Sequence, residues 1–565
     1  MTTFVDEIVR RLGKIIDLPA ADIEALVQVP TDISMGDYTL PCFQLAKTMR
    51  KAPAAIADEL AARIEQGPPF DKIEALKGYL NFFVSRETLA QTVLTRIIDD
   101  GSRYGESDIG RGRNIVIDYS SPNIAKPLGV HHIRSTMIGN ALYRIFNALG
   151  YHSVGWNYLG DWGTQFGQLM VSYKKRESEL SRGEITVKDL LELYVQYHKE
   201  AEEEETLDDE ARAWFKKLED GDTEAVSLWE KFREESLKEF KRIYARLDVQ
   251  FDTYEGESGF IKASRDVIGR LQASGLAVGS QGAIVVPLDD LNMPPCLLMK
   301  KDGTTLYATR DIAAAEYRYE NYQFDQLLYV VGSQQKLHFR QVLKVLELMG
   351  HQWAGRCRHV DFGMLSFKGG TFSTRRGRMI FLEDVLDRAV EMARSIIEEK
   401  NPGLENKNEV AEMVGVGAVI FGDIKHRRNK DVVFDWDTAL NFDGETGPYL
   451  QYTYVRLGGI MRKYDKDLPH TGDFSLLTND EERALLRLLG DFPACVRRAA
   501  LQHEPSVVAS YLLDLASSFN TFYQKHRVIS EDAALTEARL LLVGAMRTVI
   551  RKGLDLLGIK CPERM

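Results

Sequence analysis

The sequence predicts an α/β protein with a parallel-sheet core, a helical insertion, an N-terminal α+β domain and a C-terminal all-α bundle. Three patterns support this fold class. The β-branched run IVIDYSS, a helical segment and the strand-like YHSVGW form the β-α-β start of a nucleotide-binding sheet. Glu- and Lys-rich helical stretches, typical of solvated helix faces, then interrupt the sheet. Beyond about residue 380, strand signals fade and amphipathic helical segments take over.

The first 105 residues read as a separate small unit. A helix, the turn SMGDYTL, the helix QLAKTMRKAPAAIADELAARI and the strand-like YLNFFVS follow one another. The Gly-rich, charged stretch SRYGESDIGRGR is typical of a linker. We therefore predict an N-terminal domain, with its linker, over residues 1–105.

A Rossmann-like sheet domain is predicted over residues 106–380, with its helical insertion at about 172–255. After the insertion, the strand-like segments AIVVPL, CLLMKK, QLLYVV and RHVDFGMLS are expected to complete the interrupted sheet. A connecting helical segment over 381–440 and a helical domain over 441–565 are predicted to follow.

Composition limits the class of protein and its partners. A chain of 565 residues is longer than one hydrophobic core usually supports, so several folded domains are expected. The 72 Lys and Arg against 83 Asp and Glu give a formal charge of -11, so any contact with nucleic acid depends on local basic patches. Five scattered cysteines form no CxxC pair and have no histidine at zinc-ligand spacing. We expect reduced thiols and no structural metal.

The N-terminal stretch MTTFVDEIVRRLGKIIDL alternates apolar and charged residues at helical spacing. It lacks the uninterrupted apolar core of a signal peptide or a membrane span. We expect a soluble, cytoplasmic protein that does not act at a membrane.

The segment DYSSPNIAKPLGVHHIRST follows the first predicted strand of the sheet and runs into a helix. Helix N-termini with nearby cations bind phosphate, and Lys126, His131 and His132 stand at this turn. Taken alone, Pro122 and Gly129 are equally typical of an ordinary turn. The two histidines are equally typical of polar residues in the first turn of a helix.

Within LYATRDIAAAEYR, Tyr307 and Asp311 are four residues apart and share a face if the segment is helical. A carboxylate binds a guanidinium through paired hydrogen bonds, and an aromatic ring can stack on it. The pair therefore suits a guanidinium ligand. A capping Asp and a Tyr at the edge of the core are the structural alternative.

A basic cluster runs from Lys425 to Lys430, and the segment after it is rich in aromatic residues. Unpaired RNA bases are read by stacking on aromatic or Arg planes and by hydrogen bonds. Tyr452, Tyr454 and Arg456 are therefore candidate RNA-binding residues. The same residues are also suited to the core of a helical bundle.

Together, SPNIAKP, YATRD and VVGSQQKLHF resemble the arginyl-tRNA synthetase family of class I aminoacyl-tRNA synthetases. The resemblance extends over nearly the whole chain. The N-terminal domain is similar to one that contacts the outer corner of tRNA, and the C-terminal bundle to an anticodon-binding domain. Two signatures depart from the general pattern: GVHH replaces His-x-Gly-His, and FSTRRGR, in the loop 368–378, resembles a degenerate KMSKS loop.

The altered first signature has a chemical consequence. Gly129 stands where the family has its first histidine and His131 where it has glycine, whereas His132 keeps its place. A side chain at position 131 is expected to lower the affinity for ATP if the adenine needs a close backbone approach. A loop without its second lysine needs another cation near the triphosphate, and Lys126 is our candidate.

The resemblance implies three sets of residues in the active site. The catalytic charge stabilisers are Lys126, His131, His132, Arg375 and Arg376. The ATP-binding residues are Pro122, Asn123, Ile124, Ala125, Lys126, Pro127, Leu128, Gly129, Val130, His131, His132, Ser373 and Thr374. The arginine-binding residues are Asp118, where the family often has Glu, and Ser120, Asn123, Tyr307, Asp311 and Gln335.

The resemblance also implies an activity. ATP with Mg²⁺ activates L-arginine to arginyl-adenylate, and the arginyl group passes to the 3′-terminal adenosine of tRNA(Arg), with release of pyrophosphate and AMP. A monomer with no DNA partner is expected. Two alternatives are a catalytically impaired, synthetase-like RNA-binding protein and a tRNA-independent adenylyltransferase. The retained Tyr307, Asp311 and Gln335 argue against the first, and the C-terminal bundle against the second.

Overall fold

The computed structural model describes residues 4–30, 32–180, 185–204, 206–301, 303–367, 380–464, 466–467 and 469–565. The chain forms two compact units. The first comprises Met1–Tyr104, Leu457–Phe492 and Asp514–Val549. The second comprises Gly105–Arg456, Pro493–Leu513 and Ile550–Met565.

The described residues form α-helices and short strands throughout both units. In chain order, the helices are α1 Phe4–Leu12, α2 Ala20–Leu26, α3 Ala46–Met49, α4 Pro53–Arg63, α5 Arg86–Asp100, α6 His132–Ala148, α7 Gln165–Leu180, α8 Val187–Ala201, α9 Thr206–Glu219, α10 Thr223–Arg246, α11 Ile261–Ala273, α12 Tyr307–Tyr322, α13 Lys336–Leu348, α14 Leu382–Lys400, α15 Lys407–Ile424, α16 Trp436–Ala439, α17 Gly447–Arg462, α18 Asp480–Gln502, α19 Ser506–Lys525 and α20 Ala533–Leu556. The strands are β1 Tyr38–Pro41, β2 Phe70–Leu76, β3 Tyr79–Val84, β4 Asn114–Asp118, β5 His152–Trp156, β6 Val278–Ser280, β7 Ala283–Val286, β8 Cys296–Met299, β9 Gln326–Tyr329, β10 Cys357–His359, β11 Leu365–Phe367 and β12 Val432–Phe434.

The first unit contains a three-stranded antiparallel sheet in the order β1-β3-β2. Leu40, Leu80 and Phe82 of this sheet are fully buried. The predicted turn SMGDYTL is only partly a turn, because its last three residues pair with β3 as part of the edge strand β1. The single helix predicted over QLAKTMRKAPAAIADELAARI is divided into α3 and α4. Arg50 adopts a left-handed conformation (φ 52°) after α3, and Pro53 begins α4.

A buried carboxylate joins this sheet to α18 within the same unit. Asp37, just before β1, accepts the N–H of Val84 at 2.8 Å. It also forms ion pairs with Arg483 at 2.6 Å and Arg487 at 3.3 Å. The first unit therefore includes C-terminal helical segments as well as the N-terminal sheet.

The second unit contains a four-stranded parallel sheet in the order β10-β9-β4-β5. Val116, Ile117, Leu327 and Leu328 are fully buried in it, as expected for a sheet covered on both faces. Together with the C-terminal helices, this sheet confirms the predicted α/β fold class.

Two expectations about strands need correction. AIVVPL and CLLMKK do not join the parallel sheet, because they form β7 and β8 of a separate antiparallel sheet in the order β6-β7-β8. Gln281 and Gly282, with φ of 50° and 84°, make the two-residue turn between β6 and β7, and such a turn joins antiparallel neighbours. The segment predicted as a helical connection over 381–440 also contains β12, which pairs in parallel with β11.

Helices α7 to α10 lie between β5 and β6, where the sequence predicts a helical insertion. Helices α17 to α20 make up the C-terminal helical region, and each of them continues across a boundary between the two units. In the part of the chain described here, no helix is both long and apolar enough to cross a membrane.

Helix α6 packs closely on the chain that follows β4, and the contact depends on Gly139. A Cβ placed on Gly139 would lie 2.2 Å from Cγ of Tyr119, whose side chain is fully buried. Since a packed core does not yield to an added methyl group at that distance, a glycine is required here.

We expect Gly139→Ala to lower the free energy of unfolding by about 1–3 kcal/mol, because the added methyl group separates α6 from Tyr119. Thermal and urea unfolding of the full chain measure the change. The control is Gly269→Ala in α11, whose Cβ meets nothing within 4 Å and which should stabilise the helix by about 0.5–1 kcal/mol. Equal stability of the two variants would show that the close contact is not required.

Candidate active site

The carboxyl ends of β4, β5, β9 and β10 lie along one edge of the parallel sheet. The chain goes from β4 to β5 on one side and later returns to β9 on the other, so the strand order reverses at β4. The carbonyl of Asp118, at the end of β4, accepts the N–H of Val330 at 2.9 Å. Ligands of open parallel sheets bind at such a switch point, so the candidate active site lies at this edge.

The turn after β4 has a strained backbone that side chains hold in place. Ser120, Ser121 and Ala125 adopt left-handed conformations, with φ of 69°, 48° and 65°. Ser120 N–H donates to Ser135 Oγ at 2.9 Å, and Ala125 N–H donates to Ser236 Oγ at 2.8 Å. Along the predicted ATP-binding segment, 122–132, most side chains are buried, so a ligand would meet chiefly its backbone. The buried side chains are those of Pro122, Ile124, Ala125, Pro127, Leu128 and Val130.

The helical insertion contributes side chains to this site. From the sequence, its charged stretches are expected only to be solvated helix faces. On α10, the Tyr244 hydroxyl is 2.7 Å from Ser120 Oγ and accepts the side-chain amide of Asn157 at 3.0 Å. Arg233, also on α10, forms an ion pair with the buried Asp161 at 3.2 Å. On α8, the ring centroid of Tyr194 lies 4.1 Å from the ammonium of Lys126.

The altered GVHH signature forms the entry into α6. His131 is exposed, His132 is half-buried and begins the helix, and the two ring centroids are 4.0 Å apart. His132 Nδ1 lies 3.1 Å from the carbonyl oxygen of Gly129. Although His131 is exposed to solvent on one side, partial desolvation by the surrounding protein lowers the pKa of both imidazoles below their usual value, and the neighbouring His131 lowers the pKa of His132 further. Both shifts disfavour the protonated, charged form of the imidazoles in the free protein.

Asp118 and Ser120, two of the predicted arginine ligands, both have protein partners for their side chains. Arg318 donates to Oδ2 of Asp118 at 2.7 Å, and the Ser121 hydroxyl donates to Oδ1 at 2.8 Å. Burial raises the pKa of Asp118, and the charge of Arg318 opposes that shift. The Ser120 hydroxyl is buried against Tyr244 and also accepts a hydrogen bond from the Thr136 hydroxyl at 2.8 Å. Both side chains thus hold the turn, and their assignment as arginine ligands stays a prediction.

Tyr307 and Asp311 lie one turn apart at the start of α12, as the sequence predicts. Asp311 Oδ2 is 2.5 Å from Nε2 of His338, which lies on α13. The Tyr307 side chain is largely exposed, and the guanidinium of Arg310 lies 4.9 Å from its ring centroid. The predicted carboxylate and aromatic ring are thus both present, and the guanidinium of Arg310 lies against the ring.

Two residues near this pair were missed from the sequence. Glu257 is 8% exposed and pairs with Arg310 at 3.2 Å. Burial raises its pKa to about 8; Arg310 opposes the shift, whereas the charges of Asp311 and Asp161 add to it. The Tyr158 hydroxyl is buried and, among the described residues, has no hydrogen-bond partner. The sequence signal for Glu257 is its place in YEGESGF, an acidic residue between two glycines just after the charged helices.

The remaining predicted arginine ligands are exposed. Asn123 forms an isolated parallel bridge with Gly160 after β5. A Cβ on Gly160 would come within 1.9 Å of Oδ1 of Asn123, so a larger residue at position 160 would displace the Asn123 side chain. Gln335 is exposed at the start of α13, beyond the end of β9. Both amides are therefore accessible at the carboxyl edge of the sheet.

Four predicted residues, Ser373, Thr374, Arg375 and Arg376, lie outside the described residues. The chain that follows them is anchored beside the first signature. Val130 N–H donates to the carbonyl of Ile380 at 2.9 Å, and Leu382 N–H donates to the carbonyl of Leu128 at 2.8 Å.

The three candidate RNA-binding residues differ in accessibility. Tyr452 is 44% exposed and Arg456 is half-buried on α17. Tyr454 is fully buried, and its hydroxyl donates to Glu563 at 2.8 Å and accepts from Arg551 at 3.0 Å. A buried ring cannot stack on a base, so the prediction for Tyr454 is corrected to a core residue.

We expect Arg318→Met to lower the free energy of unfolding by about 3 kcal/mol near neutral pH, because it leaves Asp118 buried without its cation. Urea unfolding of the full chain measures this loss. The double variant Asp118→Asn with Arg318→Met should recover part of it, since no charge then stays buried. An Arg318→Met protein as stable as the unchanged chain would contradict this account of the ion pair.

Three protein families match successive parts of the chain. The family described as tRNA synthetases class I (R), catalytic domain, matches residues 93–436. The DALR anticodon binding domain matches residues 450–565, and the arginyl tRNA synthetase N terminal domain matches residues 3–84.

Similar proteins share both sequence and fold with this chain. The arginine–tRNA ligase of Halothermothrix orenii is 47% identical over 566 residues, which cover 100% of both chains. That of Clostridioides difficile is 48% identical over 98% of both chains. The arginyl-tRNA synthetase structure from Thermus thermophilus is 28% identical, with a TM-score of 0.82 over 95% of this chain and 96% of that one. The structure from Plasmodium falciparum is 25% identical, with a TM-score of 0.80 over 95% and 94%. With its catalytic domain, its anticodon-binding domain and its N-terminal domain all matched, the chain belongs to the arginyl-tRNA synthetase family of class I aminoacyl-tRNA synthetases.

Proposed function

We propose that this protein is an arginine–tRNA ligase. The observation that carries the proposal is the class I synthetase catalytic domain, in which Tyr307 and Asp311 lie one turn apart at the start of α12 and the buried Glu257 pairs with Arg310 of the same turn. In the first step, a carboxylate oxygen of arginine attacks the α-phosphorus of ATP, and the bond to pyrophosphate breaks. In the second step, a ribose hydroxyl of the terminal adenosine of tRNA(Arg) attacks the activated carbonyl, AMP leaves, and the hydroxyl proton is released.

Arginine recognition follows from charge and shape. The substrate guanidinium would bind the carboxylates of Asp311 and Glu257, and Tyr307 would cover it. The Tyr158 hydroxyl, which has no hydrogen-bond partner within the described ranges, supports a polar ligand at this place. Asn123 and Gln335 would bind the amino and carboxylate end. Asp118 would act indirectly, by fixing Arg318 and the Ser121 hydroxyl.

ATP enters as its Mg²⁺ complex, with the metal as part of the substrate, and the triphosphate would lie against the N-terminus of α6 and the turn 122–132. There His131 and His132 would donate hydrogen bonds, and Lys126 would supply positive charge. Ser373, Thr374, Arg375 and Arg376 remain predicted partners on the other side of the phosphates. No side-chain nucleophile is needed, so positioning and electrostatic stabilisation would provide the rate.

The tRNA would be bound by the helical region after α16, with Tyr452 and Arg456 as the accessible candidates. The match to an anticodon-binding domain over residues 450–565 supports this placement. We further propose a cytoplasmic monomer that uses neither DNA nor a membrane. The predicted domain limits, at residues 105, 380 and 440, belong to the same proposal.

Pyrophosphate exchange, measured with each amino acid in turn, with and without tRNA(Arg), tests the function. We expect exchange only with arginine, and only when the tRNA is present. Exchange with a different amino acid would reject arginine specificity. Exchange that is independent of tRNA would favour an adenylyltransferase, and tRNA binding with no exchange would favour an impaired, RNA-binding protein.

The raised pKa of Glu257 predicts a pH-dependent affinity for arginine. Below its pKa of about 8, the buried carboxyl is neutral and binds a guanidinium poorly. The KM for arginine should therefore fall about tenfold as the pH rises from about 6.5 to about 8, while the KM for ATP changes little. Steady-state aminoacylation measures both constants.

Glu257→Gln is the matched control, because it keeps the shape of the side chain but cannot ionise. Its KM for arginine should be high at every pH in this range. A KM that varies equally in the unchanged protein and in Glu257→Gln would assign the ionisation to another group.

A further inference from the structure

We propose that Tyr194, on helix α8 of the insertion, is a positioning residue that holds Lys126 for the activation of ATP. The inference rests on the proposed function, in which Lys126 supplies the positive charge that a degenerate KMSKS loop lacks. Through Tyr194, the helical insertion would take part in the activation of ATP.

The main observation is a cation–π contact. The ammonium of Lys126 lies 4.1 Å from the centroid of the Tyr194 ring, and both side chains are half-buried. His198, one turn further along α8, meets the Tyr194 ring edge-on, with centroids 4.5 Å apart and an interplanar angle of 75°. The Tyr194 ring therefore contacts the lysine ammonium and an imidazole of its own helix.

The backbone of Lys126 is fixed independently of this contact. The preceding Ala125, in a left-handed conformation with φ of 65°, donates its N–H to Ser236 of α10 at 2.8 Å. The following Pro127 has a restricted φ of its own. The long side chain is then the flexible part of Lys126, and it is the part that Tyr194 contacts.

An aromatic ring suits this task better than a carboxylate. A carboxylate would neutralise the ammonium and compete with the triphosphate, as Asp118 neutralises Arg318. The face of a ring attracts the cation through its quadrupole but leaves the net charge unchanged. The lysine is thereby ordered before ATP arrives, and its charge is still available to the phosphates.

A double-variant cycle tests the inference. Tyr194→Leu and Tyr194→Met remove the ring, Tyr194→Phe keeps it, and Lys126→Met removes the cation. Pyrophosphate exchange is measured with ATP varied at saturating arginine and tRNA, and again with arginine varied at saturating ATP and tRNA. We expect Tyr194→Leu and Tyr194→Met to lower kcat/KM for ATP about three- to tenfold without changing the KM for arginine, and Tyr194→Phe to match the unchanged protein.

The cycle separates positioning from a general effect on folding. Lys126→Met should cause a larger loss, and adding Tyr194→Leu to it should cause no further loss, because the ring acts only through the lysine. Lys217→Met is the matched control: it removes a similar contact, with the Lys217 ammonium 4.3 Å from the Trp214 ring centroid on α9, and should leave exchange unchanged. Thermal unfolding shows whether each variant is folded.

Two results would overturn the inference. In one, Tyr194→Leu lowers exchange by the same factor with and without Lys126, so that the ring acts elsewhere. In the other, Lys126→Met exchanges as fast as the unchanged protein, so that no lysine needs positioning. Both are distinct from failure of the proposed function, in which the unchanged protein itself shows no arginine-dependent exchange.

Discussion

The buried ion pair between Asp118 and Arg318 fixes the site on which the other contacts depend. Asp118 ends β4, and Arg318 lies on α12, 200 residues later in the chain. The guanidinium is surrounded by the rings of Trp156, Tyr158 and Tyr329, at 4.6, 5.2 and 5.6 Å from their centroids. Because those rings follow or belong to β5 and β9, one side chain relates α12 to three parallel strands. Asp311 lies two turns before Arg318 on the same helix, so its position at the switch point follows from this anchor.

The second determinant is the helical insertion, which supports the site from the side of the phosphate turn. Ser236 and Tyr244 of α10 hold the strained residues Ala125 and Ser120, which could not keep left-handed conformations without such partners. Inserted helices of this kind are easily regarded as additions to a conserved sheet. Here they stabilise the backbone geometry that an ATP-binding turn requires, and a change in their packing would be transmitted directly to that turn.

Local sequence patterns predicted the parts of the structure that are local. The β4-α6-β5 order follows from hydrophobic periodicity, and the placement of Tyr307 and Asp311 on one helical turn follows from their spacing. The protein partners of Asp118 and the burial of Tyr454 were not predicted, for a different reason. Their partners, Arg318 and Glu563, are 200 and 109 residues away, and spacing along the chain does not reveal such contacts. Glu257 was missed likewise, because its burial and raised pKa exist only in the folded chain.

The stacking of Arg310 on Tyr307 has a consequence for discrimination among amino acids. In the free chain, a guanidinium already lies 4.9 Å from that ring and 3.2 Å from Glu257. The guanidinium of Arg310 thus makes the same kinds of contact that are proposed for the guanidinium of the substrate. A lysine substrate would offer a compact ammonium with no plane to stack, and citrulline would offer the plane without the charge. The same small cluster would thus reject both amino acids for different reasons. Lysine lacks the planar group that stacks on Tyr307, and citrulline lacks the positive charge that Glu257 binds.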